Sequence, residues 1–292
     1  MGLSYDEAGA GECVVLIHGH PFDRSLWQPQ LAALSDEFRV IAPDLRGFGA
    51  SPVTPGLVSM RQLAADVEAL LDRLAVDRAA IVGLSMGGLV VMELATAQPD
   101  RYWAIGLVAT TAAPVAPGER EARRARADAI EEDGIGVLID YMHTGLYGPA
   151  CPSAVRERVD AMMAAAPPAG AAAALRGRAE RPDYLAGLAG LELPAFVCVG
   201  SADPWSNRAV TDELMACLRR PELVVLDGVG HLPNLEAETR FTAALRDFLR
   251  ASSKTFADIL VADRDISEGD YHTLDELKAA LEQRQRGEDA DA

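Results

Sequence analysis

Six short apolar runs divide the chain, and none of them alternates strictly with polar residues. They occupy residues 13–17, 38–42, 79–84, 104–109, 195–199 and 222–226. Short runs without polar alternation are typical of strands that are covered on both faces, as in a parallel sheet. The pattern therefore predicts a mostly parallel sheet built from these six strands.

Helical periodicity separates several of these runs. Residues 60–74 place Leu and Val on one face behind Ser59, a residue type that commonly caps helix N-termini. Residues 86–97 are apolar nearly all round, which predicts a buried helix, and residues 239–249 carry another apolar stripe. Alternating strands and helices predict the α/β class, with a doubly wound, mostly parallel sheet.

The segment 113–190 departs from this alternation because it contains no strand-like run. It is rich in Ala, Arg and Glu, and prolines interrupt it repeatedly. We expect several short helices, inserted between the fourth and fifth predicted strands as a cap over the sheet. The predicted core then consists of residues 1–112 and 191–251.

Residues 252–292 form an acidic extension with 11 acidic and 5 basic residues, a net charge of -6. Thr273 followed by Glu276 makes a capping box, which predicts one helix. An apolar stripe follows at Leu274, Leu277 and Leu281. We expect no catalytic group here, and where a homodimer forms we expect it to use the cap or this extension.

The charge balance restricts the partners of the protein. Lys and Arg total 27 against 44 Asp and Glu, a net charge of -17, so phosphates would be repelled and we expect neither nucleic acid nor membrane as a partner. No apolar run approaches the length of a membrane span, and the first residues lack the features of a signal peptide. Four scattered cysteines form no metal-type spacing, which favours free thiols in a reducing cytoplasm.

One motif carries nucleophilic chemistry. Residues 83–87 have the pattern G-x-S-x-G, with a predicted strand directly before Ser85 and a predicted helix directly after it. A sharp strand-to-helix turn of this kind exposes the serine hydroxyl, and the small glycines allow close backbone approach. The alternative is an ordinary glycine-rich turn, but the strand–turn–helix context favours a nucleophile.

A nucleophilic serine needs a base and a carboxylate that orients the base. His231 lies in a glycine-rich loop after the sixth run, and Asp203 follows the fifth. Loops at the carboxyl ends of strands collect the site residues of open α/β sheets. Asp203 could also be a turn residue before proline, and His231 a helix cap. The fourth run ends in residues 110–112, which offer no carboxylate, and this favours Asp203.

The other histidines are expected in different positions. We expect His18 to be a buried structural group at a strand end, and His143 in the cap and His272 in the extension to lie at the surface.

Taken together, these residues resemble the α/β-hydrolase family, in its group of lid-bearing hydrolases of small molecules. The shared motifs are His18-Gly19-His20-Pro21, the stretch from Asp44 to Ser51, the turn at Ser85, and Asp203 and His231 in the family order Ser, Asp, His. The resemblance covers about residues 1–250, and the lactonase, esterase and perhydrolase-like members look most similar.

The resemblance implies roles for further residues. The oxyanion hole would be formed by the backbone N–H groups of Met86 and His20. The imidazole of His20 is a departure, since the family often has Phe or Trp there; it could donate to substrate or rest in the pocket mouth. We expect the stretch 44–51 to be structural, with Asp44 and Arg46 tying turns together.

A serine nucleophile implies acyl transfer, because members of this fold that open epoxides or displace halides use an aspartate. The implied substrate is a small carboxylic ester, lactone or thioester, cleaved through an acyl-enzyme on Ser85 with no metal or cofactor. A small-molecule acyl substrate is thus the expected partner. An apolar pocket could be lined by Phe22, Trp27, Met142, Tyr147, Trp205 and Leu232.

Two other functions use the same fold. A C–C bond hydrolase would cleave a β-diketone-type bond with the same triad, using polar groups to bind a carboxylate. The cap offers arginines for this purpose, although their helical spacing first suggests a solvated face: Arg120, Arg123, Arg124 and Arg126. The second alternative is a non-hydrolytic member, a ligand-binding receptor or a cyclase in natural-product biosynthesis, which can retain a full triad.

Overall fold

Apolar runs form strands at each of the six predicted places, and a seventh strand precedes them. The computed structural model describes the backbone of residues 2–267 and the side chains of residues 2–253. The strands are β1 (Tyr5–Ala8), β2 (Cys13–Ile17), β3 (Arg39–Pro43), β4 (Ala79–Leu84), β5 (Tyr102–Val108), β6 (Pro194–Gly200) and β7 (Arg220–Leu226).

The seven strands form one sheet in the order β1-β3-β2-β4-β5-β6-β7. Every neighbouring pair is parallel except β1 and β3, which are antiparallel. The predicted class, a doubly wound and mostly parallel α/β sheet, is confirmed. Because β2, β4 and β5 are buried along their whole length, they form the centre of the core.

Two edge strands differ from the prediction. The first strand, Tyr5–Ala8, was not predicted because its sequence is polar and half exposed, as suits an edge that faces solvent on one side. The last strand was predicted to be covered on both faces, which is wrong: β7 is an edge strand and Val225 is 49% exposed.

Helices connect the strands and flank the sheet. They are α1 (Gln28–Leu34), α2 (Met60–Arg73), α3 (Met86–Ala97), α4 (Pro117–Asp133), α5 (Gly136–Met142), α6 (Ser153–Ala165), α7 (Pro168–Ala179), α8 (Leu185–Ala189), α9 (Arg208–Cys217), α10 (Pro233–Glu236) and α11 (Glu238–Ser267). Ser59 caps α2 as expected, since its side chain accepts a hydrogen bond from the Gln62 N–H at 3.1 Å. Helix α3 is buried over most of its surface.

The segment 113–190, called the cap below, contains α4 to α8 and no strand. It lies against the sheet layer through main-chain contacts. The Val58 N–H donates to the Ala173 carbonyl at 3.1 Å, and the Tyr184 N–H donates to the Ala112 carbonyl at 3.0 Å. Helix α7 also approaches the loop after β3 so closely that Gly170 and Gly47 are in backbone contact.

The chain divides into two compact units, Met1–Leu249 and Arg250–Ala292. The first unit holds the sheet together with the cap, so the division of this unit into core and cap stays a prediction. The second is described only as the continuation of α11 through Ser267. The capping box at Thr273 and its leucine stripe lie outside the described residues. Among the helices that the structure describes, none has both the length and the apolar character needed to cross a bilayer.

Candidate active site

Ser85 occupies a strained turn between β4 and α3. Its backbone angles are φ 54° and ψ -109°, a conformation that L-residues rarely adopt. The flanking glycines are required for steric reasons. A Cβ at Gly83 would lie 2.2 Å from the Gly87 carbonyl oxygen, and one at Gly87 would lie 2.3 Å from the Ile17 carbonyl oxygen. This geometry is what the G-x-S-x-G pattern predicts, and it lifts the serine side chain above the sheet.

Asp203 and His231 meet at the same edge of the sheet. The Nδ1–H of His231 donates to Oδ2 of Asp203 at 2.7 Å, and both residues are buried. Because a carboxylate only accepts, this bond fixes the proton on Nδ1 and leaves a lone pair on Nε2. The Trp205 N–H donates to the second carboxylate oxygen at 2.8 Å. Burial would by itself raise the pKa of Asp203, but the charge and hydrogen bond of His231 and the backbone N–H groups lower it overall.

The two loops that carry this pair are fitted closely to each other and to the cap. Gly200, at the end of β6, would place a Cβ 2.2 Å from the Gly230 carbonyl oxygen, so no side chain fits between the loops. The backbone N–H of His231 donates to the carbonyl of Leu146, a cap residue, at 2.9 Å. The rings of His231 and Trp205 also pack against each other in an edge-to-face arrangement, with ring centres 4.8 Å apart.

Two backbone N–H groups are free to serve an oxyanion hole. Met86 begins helix α3, where the first N–H groups have no partner within the helix. Among the residues that the structure describes, neither the Met86 N–H nor the His20 N–H donates a hydrogen bond to a protein group.

The imidazole of His20 connects this loop to the cap. Its Nε2–H donates to the Ala171 carbonyl at 2.9 Å, and its ring contacts the Phe48 ring edge-on with centres 5.7 Å apart. Burial, together with the nearby Arg178 charge, lowers the pKa of His20 to about 3, so this imidazole is neutral at ordinary pH. Of the two roles considered from sequence, donation to substrate is excluded for Nε2, because Ala171 already occupies it.

The neighbouring motif residues are structural. His18 is buried, accepts from the Leu45 N–H at 2.9 Å and donates from Nδ1 to the Gly19 carbonyl at 2.8 Å. Asp44 accepts from the N–H groups of Arg24 and Ala50, both at 2.8 Å.

The Nε–H of Arg46 donates to Oδ2 of Asp66 at 2.6 Å, which makes an ion pair. The structural roles predicted for His18, Asp44 and Arg46 are confirmed, and His143 is exposed and bonded to Asp160, as a surface group would be.

A cavity of about 410 Å³ lies between the sheet and the cap, within the usual range for small-molecule sites. Ser85, His20 and His231 line it together with residues of the loop after β5, the cap and the segment after β6. The remaining lining residues are Leu89, Ala109, Thr110, Thr111, Ala113, Pro114, Glu119, Arg123, Tyr141, Met142, Arg178, Arg181, Pro204, Trp205, Ser206 and Val210.

A family comparison decides the class of the protein. The model of the Alpha/beta hydrolase family matches residues 14–245, most of the chain. The chain belongs to the α/β-hydrolase family. This match, together with the relatives described next, confirms the predicted enzyme class, an α/β-hydrolase of the carboxylic ester hydrolase type.

Individual relatives agree with this assignment. The chain is similar to 3-oxoadipate enol-lactonase 1 of Acinetobacter baylyi, with 30% identity over 78% of this chain and 85% of that protein. A thermophilic esterase from Thermogutta terrifontis, solved with malate bound, is 37% identical and has a TM-score of 0.84, covering 86% of this chain and 93% of that one. The enol-lactonase from Burkholderia xenovorans LB400 is 30% identical with a TM-score of 0.77, covering 85% and 96%.

The pocket of this hydrolase differs from the sequence prediction. Of the six residues proposed to line it, Met142 and Trp205 do so. Phe22 and Trp27 are instead fully buried core residues, with Trp27 packed beside Phe241 at 6.0 Å between ring centres.

The other two are also absent from the cavity wall. Leu232 is fully buried, and Tyr147 donates its hydroxyl to Asp160 within the cap. For the three apolar residues, apolar character indicated burial in the protein and not contact with a ligand, whereas Tyr147 is half-buried.

Arginines of the cap were missed as pocket residues. The expectation that Arg123 lies on a solvated face is wrong, because it lines the cavity, and Arg178 and Arg181 join it there. Arg124 is exposed as expected and pairs with Glu180. Arg178 lies on α7 and Arg181 just after it. No local motif marks either residue, since the direction of each side chain depends on how α7 packs. Within the described residues no cluster of His, Cys, Asp and Glu could hold a metal ion.

Proposed function

We propose that this α/β-hydrolase is a serine hydrolase that cleaves small carboxylic esters, lactones or thioesters through an acyl-enzyme on Ser85. The observation that carries the proposal is the buried Asp203–His231 hydrogen bond of 2.7 Å at a cavity that Ser85 also lines. A nucleophile, a base and an orienting carboxylate around one cavity are the requirements of acyl transfer.

Acylation begins with transfer of the Ser85 proton to Nε2 of His231 as the serine oxygen attacks the substrate carbonyl carbon. His231 is prepared for this step because Asp203 holds the other ring proton on Nδ1. The same carboxylate stabilises the imidazolium that forms, and its lowered pKa keeps it ionised for that purpose.

The negative charge that develops on the carbonyl oxygen needs hydrogen-bond donors. The N–H groups of Met86 and His20 are suited to this role, since neither is used by another group in the described part of the protein. Helix α3 begins at Met86, so the partial positive charge of its N-terminus adds to the stabilisation.

The tetrahedral intermediate collapses when His231 returns the proton to the leaving oxygen or sulfur. The alcohol or thiol leaves, or in a lactone stays attached as the far end of the opened chain. Water then attacks the acyl-enzyme, with His231 again taking the proton, and Ser85 is released.

The substrate class is supported by the relatives and by the cavity. The relatives described above are enol-lactonases and an esterase, and the esterase was solved with the small dicarboxylate malate. A cavity of about 410 Å³ is large enough to admit a small acyl compound. The arginines on the cavity wall would also suit a C–C bond hydrolase, which is the second candidate.

A fluorophosphonate probe tests the mechanism, because it reacts with an activated serine. Wild-type protein should be labelled at Ser85, as mapped by peptide mass spectrometry, and S85A should not. S153A, which alters an exposed serine of the cap, is the control and should be labelled like wild type.

A panel of aryl esters, lactones and vinylogous ketoacids then separates the candidates. Ester or lactone turnover supports the proposal, whereas turnover of the ketoacids alone supports C–C cleavage. Failure to label Ser85 in folded protein, with no turnover of any class, would favour a ligand-binding or cyclase role.

A further inference from the structure

One wall of the cavity carries an excess of positive charge. Arg123, Arg178 and Arg181 line it, and Glu119 is the one carboxylate among the lining residues of the described protein. Three guanidinium groups against one carboxylate stand out in a chain whose net charge is -17. All four side chains come from the cap, and Ser85 lines the same cavity.

Arg178 has no protein partner for its charge. Its Nε is buried and makes no hydrogen bond. Within the part of the chain that the structure describes, its side chain forms neither a hydrogen bond nor an ion pair, although the guanidinium borders the cavity. Removing an arginine charge from water without giving it a partner costs free energy, and a bound anion would offset that cost.

The two neighbouring arginines leave the positive charge uncompensated. Arg181 is buried and donates from Nε to the Ala113 carbonyl at 3.2 Å, which satisfies one N–H but not the charge. Arg123 is paired with Glu119 and donates to the Arg178 carbonyl at 3.2 Å, which holds α4 against α7. The ion pair at Arg123 therefore balances one of the three charges, and two remain.

The pKa shifts of Arg178 and Arg181 agree with this excess of positive charge. Burial lowers the pKa of Arg178, and the positive charges of Arg123 and Arg181 lower it further. Burial and Arg123 likewise lower the pKa of Arg181 to about 10. These directions mean that each guanidinium is surrounded by too little negative charge, which an anion in the cavity would supply.

We propose that Arg178 and Arg181, supported by Arg123, form a carboxylate-binding subsite, so that the substrate attacked by Ser85 is an ester or lactone that also bears a carboxylate. The inference rests on the proposed function, and it goes further by naming a charge that the substrate carries. The planar fork of arginine matches a carboxylate with two parallel hydrogen bonds, and Ser85 lines the same cavity of about 410 Å³ as the arginines.

A matched substrate pair tests the subsite. Monomethyl glutarate and methyl 5-methylhexanoate have the same length and shape, but the first ends in a carboxylate and the second in an isopropyl group. Wild-type protein should hydrolyse the carboxylate ester with the higher kcat/KM, by about 10- to 100-fold, since a charged hydrogen-bonded group is replaced by an apolar one. Equal kcat/KM for the two esters in wild type would overturn the proposal without any variant.

Substitutions then assign the effect to the arginine. R178M removes the charge while keeping an unbranched side chain, and it should lower the ratio of the two kcat/KM values by about 10-fold or more. R178K keeps a charge and should recover part of that ratio. R176M is the control from the same helix, because Arg176 is already paired with Asp128 and Glu131 outside the cavity, and it should keep the wild-type ratio. An unchanged ratio in folded R178M would also reject the subsite.

Calorimetry separates this inference from the proposed function. Glutarate, the dicarboxylate product, should bind wild-type protein and S85A, and should bind R178M at least about 10-fold more weakly. If Ser85 is not a nucleophile, neither ester is cleaved but glutarate still binds, so only the proposed function fails. If esters are cleaved while glutarate does not bind, only the carboxylate subsite fails.

Discussion

The carboxylate of Glu236 accepts a hydrogen bond from the backbone N–H of Gly148 at 2.8 Å, and this contact joins α10 to the cap. The same carboxylate also accepts from the N–H groups on either side of His231, those of Gly230 at 3.1 Å and Leu232 at 3.2 Å. One side chain thus holds the loop of the proposed base against the cap. A Cβ at Gly148 would lie 2.5 Å from the Gly228 carbonyl oxygen, so the contact depends on glycine.

Glu236 is therefore expected to position His231 without touching the substrate. E236Q replaces one acceptor oxygen with an NH₂ group that would face a backbone N–H, which should shift the loop. We expect kcat on p-nitrophenyl acetate to fall by about 10-fold while KM changes little, since the position of the base affects proton transfer more than substrate binding. E238Q alters the exposed neighbour and should retain wild-type kcat. Equal kcat values for E236Q and wild type would remove Glu236 from this role.

The close contact of Gly170 with Gly47 makes a second prediction. A Cβ at position 170 would lie 2.0 Å from the Gly47 carbonyl oxygen, and backbone atoms cannot move aside as a flexible side chain can. G170A should lower the free energy of unfolding by about 2 kcal/mol or more through this overpacking. G118A, in the first turn of α4, adds a methyl group where nothing lies within 4 Å and should be neutral or slightly stabilising. Urea unfolding of the two variants beside wild type measures the difference, and equal stabilities would argue against this packing.

The proposed triad was predictable because each of its members has a local sequence signal. Ser85 sits in a motif whose glycines are needed by the turn itself, and Asp203 and His231 follow strands that the apolar pattern located. Parallel strands bring their carboxyl ends to one edge, so three distant positions could be expected to meet there. Strand β1 was missed because an edge strand carries no apolar run.

The arginines of the cavity wall were not predictable, because no local sequence signal marks them. Arg178 differs from its neighbour Arg176 only in direction: Arg176 pairs with acids at the surface, whereas Arg178 borders the cavity. The direction in which Arg178 points depends on how α7 packs against Gly47. These positions are far apart in the chain, so no local sequence pattern predicts their contact. Trp27 and Phe22 failed as pocket predictions because a large apolar residue is equally suited to the core.

His20 gives a pH-dependent prediction for stability. Burial and Arg178 lower the pKa of His20 from 6.5 to about 3 in the folded protein. As pH falls below 6.5, the unfolded chain takes up a proton that the folded protein refuses, so the unfolded state is favoured. Wild type should therefore lose stability relative to H20F as pH falls through the window from 6.5 towards 3. The difference should reach about 3 kcal/mol two pH units below 6.5, since each unit contributes about 1.4 kcal/mol.

Urea unfolding of both proteins across this window measures the effect. The other titrating groups are common to both, so the difference between the two curves isolates His20. H20F also leaves the Ala171 carbonyl without its donor, which lowers stability by an amount that does not vary with pH. Curves that run parallel from neutral pH down to 4.5 would contradict a buried neutral imidazole.

The acidic extension is expected to be dispensable for chemistry. Every residue assigned to the site lies within the unit Met1–Leu249. Truncation after Ala251 should leave kcat on p-nitrophenyl acetate within about a few-fold of wild type, because no group that touches the substrate is removed. Light scattering of both forms would show whether the oligomeric state depends on the extension. A folded truncated protein without activity would mean that residues 252–292 contribute to the site.

The proposed triad makes the sharpest prediction, because its members act as a unit. S85A should lower kcat on p-nitrophenyl acetate by about 10⁴-fold or more with the fold intact, and H231A should cost a similar amount. D203N should cost a comparable or smaller factor, since an amide at 2.7 Å from Nδ1 favours the wrong tautomer. The double variant S85A/H231A should be scarcely slower than either single variant, because without the Ser85 hydroxyl there is no proton for His231 to accept. If the two losses instead multiply, Ser85 and His231 act independently, and a hydrolase mechanism that couples them must be abandoned.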